Sequence, residues 1–173
     1  MLLAQMMGAK RILEIGTLGG YSTIWLARAL PSDGHLITLE ADPKHAEVAR
    51  ENISRAGLKD KVDVRTGRAS KSLPKLLEEK QPPFDLIFID ADKEGYPEYF
   101  GWALKLSRKG TLIIADNIVR EGEVANSASE DSQVIGARKF NDLVAAESRV
   151  SGTVIQTVGG KGYDGIAVAL VMK

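Results

Sequence analysis

Short runs of apolar and β-branched residues alternate along the chain with longer segments of helical period, the pattern of a parallel sheet covered by helices. The runs predict strands over Arg11–Ile15, His35–Glu40, Val62–Arg65, Phe84–Asp90 and Thr111–Asp116. FDLIFID and TLIIAD are apolar on both alternating faces, which assigns the fourth and fifth strands to the middle of the sheet. The periodic segments predict helices over Tyr21–Leu30, Pro43–Ala56, Lys71–Lys80, Pro97–Leu106 and Gln133–Ala146. Pro43 and Pro97 open theirs, and Gly57 follows the end of the second. The alternation then stops. Thr153–Val158 and Ile166–Met172 are both strand-like and are separated by GGKGYDG, too short for a crossover helix, so they must pair as an antiparallel hairpin. The expected fold is α/β, a doubly wound, mostly parallel sheet of seven strands closed by that hairpin. Ile118–Ser132 is a polar loop of 15 residues, the length of a functional rim or lid. Met1–Gly8 (MLLAQMMG) reads as the end of an apolar helix face followed at once by a strand.

Composition narrows the chemistry. A chain of 173 residues is one domain with a sizeable core. Its 23 Lys+Arg balance 23 Asp+Glu, so no global field draws it to nucleic acid or an anionic membrane. The absence of cysteine removes disulfides, zinc–thiolate sites, iron–sulfur clusters and cysteine nucleophiles. With only His35 and His45, any metal must be held mainly by oxygen, which suits a hard cation such as magnesium or calcium. No apolar run approaches the roughly 18 residues of a spanning helix, and no long apolar stretch of a signal peptide is seen. A cytoplasmic protein is expected.

The richest motif is Glu14-Ile-Gly-Thr-Leu-Gly-Gly-Tyr-Ser22 at the end of the first strand. Its glycines let backbone approach a ligand, and the next helix offers unpaired N–H groups. Read from Gly16, a dinucleotide fingerprint would need glycine where Leu18 and Tyr21 stand, so NAD is disfavoured. Glu14 suits a ligand with an ammonium group, such as the methionine half of S-adenosylmethionine. Glu40 ends the second strand, where a carboxylate can accept both hydroxyls of a ribose. Gly67-Arg-Ala-Ser70 follows the third strand as an edge for adenine. The fourth and fifth strands end in Asp90-Ala-Asp-Lys93 and Ala115-Asp-Asn117, which gather oxygen atoms where open α/β sheets bind ligands. Asp90, Asp116 and Asn117 could hold magnesium, and without a cation the carboxylates would repel each other.

EIGTLGGYS, LITLEAD, FIDADKEGY, ADN and the closing DGIAVAL occur in order from Ala9 onward, and with them the sequence resembles the cation-dependent O-methyltransferases, which include catechol and caffeoyl-coenzyme A O-methyltransferases. The resemblance implies a Rossmann-like class I fold, with residues 1–173 forming one S-adenosylmethionine-dependent methyltransferase domain. It implies that Glu14, Gly16, Ser22 and Glu40 surround S-adenosylmethionine, with Ala69 near the adenine. Asp90, Asp116 and Asn117 would hold Mg2+, or Mn2+ or Ca2+ in its place, and Asp90 would serve cofactor, cation and substrate together. Lys93 is similar to the family's lysine that helps remove the proton from the substrate hydroxyl. A phenol titrates at about 10, so its hydroxyl is a poor nucleophile until a cation stabilises the oxyanion. The implied acceptor is a catechol-type small molecule and the implied assembly a homodimer, with neither nucleic acid nor membrane as partner. The alternative is a non-catalytic or differently specific S-adenosylmethionine-binding domain. Members usually carry further N-terminal helices that help close the pocket, and a more open acceptor pocket is expected here.

Overall fold

The computed structural model describes residues 1–160 and 162–173. By internal contacts it divides into two compact units, 1–87 and 88–173. The strands follow the order β3-β2-β1-β4-β5-β7-β6 in a seven-stranded mixed sheet, so the expected α/β sheet with an antiparallel hairpin at its end is present, and the fourth and fifth strands are interior.

The first unit holds helix α1 (Leu2–Met6), β1 (Arg11–Ile15), α2 (Tyr21–Arg28), β2 (His35–Glu40), α3 (Pro43–Arg55), β3 (Val62–Thr66), α4 (Ala69–Glu78) and the start of β4 (Phe84–Ile89). Strands β1, β2 and β3 are parallel, with Ile15 opposite Leu39 and Glu40 opposite Thr66. Ile12, Leu13, Ile15, Leu36, Ile37 and Leu39 are buried, which places the unit's core at the inner strands, where apolar residues face both sides of the sheet. Asp42 caps α3 by accepting from the Lys44 N–H at 2.7 Å, and Gly57 ends it in the left-handed conformation. The start of β4 is tied to that of β1, because Asp85 Oδ2 accepts from the N–H groups of Lys10 at 2.8 Å and Arg11 at 2.9 Å. Helix α4 begins at Ala69 rather than Lys71. Residues 69 and 70, expected to stay outside the helix, form its first turn.

The second unit holds the end of β4, α5 (Tyr96–Lys105), β5 (Ser107–Asp116), α6 (Ser132–Ala146), β6 (Val150–Gly159) and β7 (Gly162–Val171). Strand β7 runs antiparallel to both β5 and β6, with Asp116 opposite Ile166 and Gly159 opposite Gly162. The hairpin is longer than its apolar residues predict, because ladder bonds continue through polar positions to the turn. The expected GGKGYDG connection includes Lys161, which lies outside the described residues. Strand β5 likewise starts four residues early, at Ser107, and β4 stops at Ile89, leaving Asp90 free of the strand. Tyr96, Phe100 and Phe140 form the aromatic centre of this unit, with Phe140 edge-on to Tyr96 at 5.7 Å and to Phe100 at 5.5 Å between ring centroids. The polar segment 118–132 contains a 3-10 stretch at Arg120–Ala125, in which Arg120 and Glu121 both take positive φ. Among the described residues no helix is long and apolar enough to cross a membrane.

Candidate functional site

In the first unit the turn after β1 is built around two carboxylates. Gly16, Leu18 and Gly20 take positive φ, so the chain reverses tightly into α2. Glu14 is fully buried. Its Oε1 accepts from Ser22 Oγ at 2.6 Å, and its Oε2 accepts from Thr38 Oγ1 at 2.7 Å and from Thr23 Oγ1. A buried carboxylate needs such donors, and here they fix the start of α2 to β1 and β2. Glu14 and Ser22 are thus brought together, with Ser22 the half-buried member. Glu40 is also buried rather than solvated. Its Oε2 accepts from the N–H of Leu18 at 2.7 Å and of Thr17 at 3.2 Å, and its Oε1 from Asp42 N–H at 2.9 Å. The Gly67 N–H donates to the Glu40 carbonyl at 2.7 Å, which brings the turn carrying Ala69 to the end of β2. Leu18 and Tyr21, the residues that break the dinucleotide pattern, are exposed on this turn.

In the second unit Asp90, Lys93, Asp116 and Asn117 lie at the ends of β4 and β5. Lys93 is 6% exposed, although lysine is seldom buried without partners. Its Nζ donates to Tyr96 Oη at 2.6 Å and to Asp90 Oδ1 at 3.2 Å. The Tyr96 hydroxyl lies 3.1 Å from the Ile89 carbonyl and 3.0 Å from that of Asp116, so one buried phenol joins both strand ends to the lysine. Burial, and then the charge of Asp90, push the Tyr96 hydroxyl far above its ordinary range, so it stays protonated and donates. Burial also raises Asp116 above the usual carboxylate value. The Asn117 N–H, donating to its Oδ1 at 2.7 Å, opposes that rise, and the charge of Asp90 adds to it. Among the described residues no group of three or more His, Cys, Asp or Glu is placed to hold a metal; the expected set has two carboxylates and one amide.

Two further residues of this unit shape the site, and both fall within the quoted motifs, Tyr96 closing FIDADKEGY and Asp164 opening DGIAVAL. Asp164 Oδ1 accepts from the N–H groups of Val119 at 3.0 Å, Arg120 at 2.9 Å and Gly165 at 2.8 Å, which pins the segment leaving Asn117 to the hairpin.

The strand order with its closing antiparallel hairpin is that of the Rossmann-like class I methyltransferase fold. Residues 1–171 match the O-methyltransferase family, and the chain belongs to it as an enzyme that transfers a methyl group to oxygen. The catechol O-methyltransferase of Niastella koreensis is 60% identical over 98% of this chain and 77% of its own length. The O-methyltransferase of Bacillus cereus, solved in complex with SAH, has a TM-score of 0.96 and 63% identity, covering 98% of this chain and 77% of that one. An O-methyltransferase of Streptomyces achromogenes involved in tomaymycin synthesis, solved with SAM, has a TM-score of 0.97 and 50% identity over 99% of this chain and 77% of its own.

Proposed function

We propose that the chain is an S-adenosylmethionine-dependent, divalent-cation-dependent O-methyltransferase of catechol-type small molecules, with residues 1–173 acting as one domain and two copies forming a homodimer. The observation that carries the reading is the buried Lys93 amine held between Asp90 and Tyr96 at the ends of β4 and β5. The ligands bound by the Bacillus and Streptomyces structures and the name of the Niastella relative support the cofactor and the acceptor class.

The residues present fit both groups. Asp90, Asp116 and Asn117 offer only oxygen donors on their side chains, and Asp90 raises the proton affinity of Asp116, a repulsion that a cation would reverse. These three would hold Mg2+, Mn2+ or Ca2+, which when bound stabilises the acceptor oxyanion as a Lewis acid. Glu14, Gly16, Ser22, Glu40 and Ala69 would hold S-adenosylmethionine, the source of the methyl group. Glu14 acts through the Ser22, Thr23 and Thr38 hydroxyls that it orders.

Lys93 takes the acceptor proton. Its Nζ has three positions besides the bond to carbon; donation to Asp90 Oδ1 and Tyr96 Oη takes two, and the third is left for the acceptor proton. The acceptor O–H bond breaks and a third N–H bond forms on Lys93, while the methyl carbon passes from sulfur to oxygen. Tyr96 cannot compete as a base, because its own hydroxyl proton is held by burial.

Single-turnover methylation of a catechol panel with labelled S-adenosylmethionine tests the reading. Product should form with Mg2+ and disappear in excess EDTA, and Asp116→Ala should behave like the chelated enzyme. Full turnover in EDTA would remove the cation from the mechanism. Cofactor binding without transfer to any catechol would favour a differently specific or non-catalytic domain.

A further inference from the structure

The side chain of Lys93 is held at its tip, but its backbone lies in a three-residue 3-10 turn, Lys93–Gly95, too short to fix its own place. The hold comes from α6. Gln133 Oε1 accepts from the Lys93 N–H at 3.0 Å, and its Nε2 donates to Glu94 Oε1 at 3.2 Å. Ser132 Oγ donates to that same Glu94 oxygen. Further along α6, Gly136 is buried, and a Cβ there would lie 2.2 Å from the Lys93 carbonyl oxygen, 2.6 Å from its carbon and 2.8 Å from the Glu94 nitrogen. All three are backbone atoms, which no change of rotamer can move aside. Gly136 is not required by a positive φ, and glycine inside a helix is less favourable than alanine. The helix therefore gives up propensity at this position, and what it gains is a bare surface against which the lysine backbone can lie.

We propose that Gln133 and Gly136 are positioning residues for methyl transfer, forming a template on α6 that sets the distance of the Lys93 amine from Asp90. The proposal rests on the reading of Lys93 as the proton acceptor. Gln133 fixes the direction of the Lys93 peptide through its N–H, and Gly136 fixes its depth through the carbonyl. Neither residue needs to touch substrate.

Gly136→Ala gives the sharpest test, because a purely structural role predicts a loss of stability that leaves kcat of the folded enzyme unchanged. We expect Lys93 to be displaced by about 1 Å in its crystal structure, since the 2.2 Å approach must open to ordinary contact. kcat should fall about a hundredfold, while the KM for the catechol and the affinities for S-adenosylhomocysteine and Mn2+ stay within about twofold. Unchanged kcat with Lys93 in place would overturn the proposal, as would a loss confined to KM.

If Gly136→Ala does not fold, Gln133→Leu carries the test. Its kcat should fall about tenfold, the lower range for removal of an orienting partner, and its Lys93 amide should exchange with deuterium faster than in the parent enzyme. The exchanged pair Gln133→Glu with Glu94→Gln keeps an acceptor for the Lys93 N–H and a donor to the new carboxylate, so it should restore both. An unchanged exchange rate, or no rescue, would overturn the hold even in an active enzyme. Failure of the functional reading is distinguishable, because a parent enzyme that methylates nothing would still show the exchange difference.

Discussion

Asp116 carries a charge in a place that disfavours it. Burial and Asp90 raise its proton affinity in the folded chain, so its ionised form costs stability there. A raised folded value means that the carboxyl stabilises the fold below its unfolded value and loses that contribution as pH rises through the folded one. Asp116→Asn should therefore be the more stable protein at pH 7 without cation, and that advantage should vanish below the ordinary value of 3.8. Mn2+ should then raise the melting temperature of the parent and barely move that of the variant. A variant equally responsive to Mn2+ would show that Asp116 is no cation ligand, and one less stable at pH 7 without cation would show that burial and Asp90 do not disfavour its charge. At this scale the sequence disclosed the carboxylates, because Glu14, Glu40, Asp90 and Asp116 all lie at or next to the ends of strands, but it could not disclose their partners. Thr38 reaches Glu14 across 24 residues and Gln133 reaches Lys93 across 40. Such partners are fixed by packing, which leaves no local signature.

Elements were legible where propensity and packing agree. Pro43 and Gly57 bound α3 as expected, and the buried runs of β1, β2 and β4 fell in the right places. The misses have a common cause. Small and polar residues that continue a helix or a ladder carry little hydrophobic signal, so the apolar pattern does not reach Ala69–Ser70, Ser107–Gly110 or the polar ends of β6 and β7. The segment after Asn117 is the clearest case, since its shape depends on Asp164, 45 residues from Val119. Asp164→Ala should leave the N–H groups of Val119, Arg120 and Gly165 without their acceptor. Each such loss costs about 1–3 kcal/mol where the group stays buried, but an exposed loop can open instead and restore them with water. The expected result is faster hydrogen exchange at these three amides, with a raised KM for the acceptor and little change in S-adenosylhomocysteine affinity. Unchanged exchange would show that the hairpin holds this segment without the carboxylate.

At the scale of the molecule, two apolar surfaces need company. On α1, Leu2 and Met6 are exposed, as the apolar start of the sequence leads one to expect. The other surface is β6, which ends the strand order and is exposed along nearly its whole length, including Val154, Ile155 and Val158. Edge strands are normally protected by charge or proline against pairing with another copy. Val150–Gly159 contains neither. A second copy related by a two-fold axis would satisfy such an edge with its own β6, since closed symmetric dimers are the commonest solution for self-complementary surfaces. Light scattering at micromolar concentration should give twice the chain mass of 18.7 kDa. Ile155→Lys should return it to the chain mass if β6 is the contact, whereas Met6→Lys should do so if α1 is. A parent protein that runs at 18.7 kDa at every concentration tested would remove the dimer, and the exposed residues of β6 would then be a solvated edge.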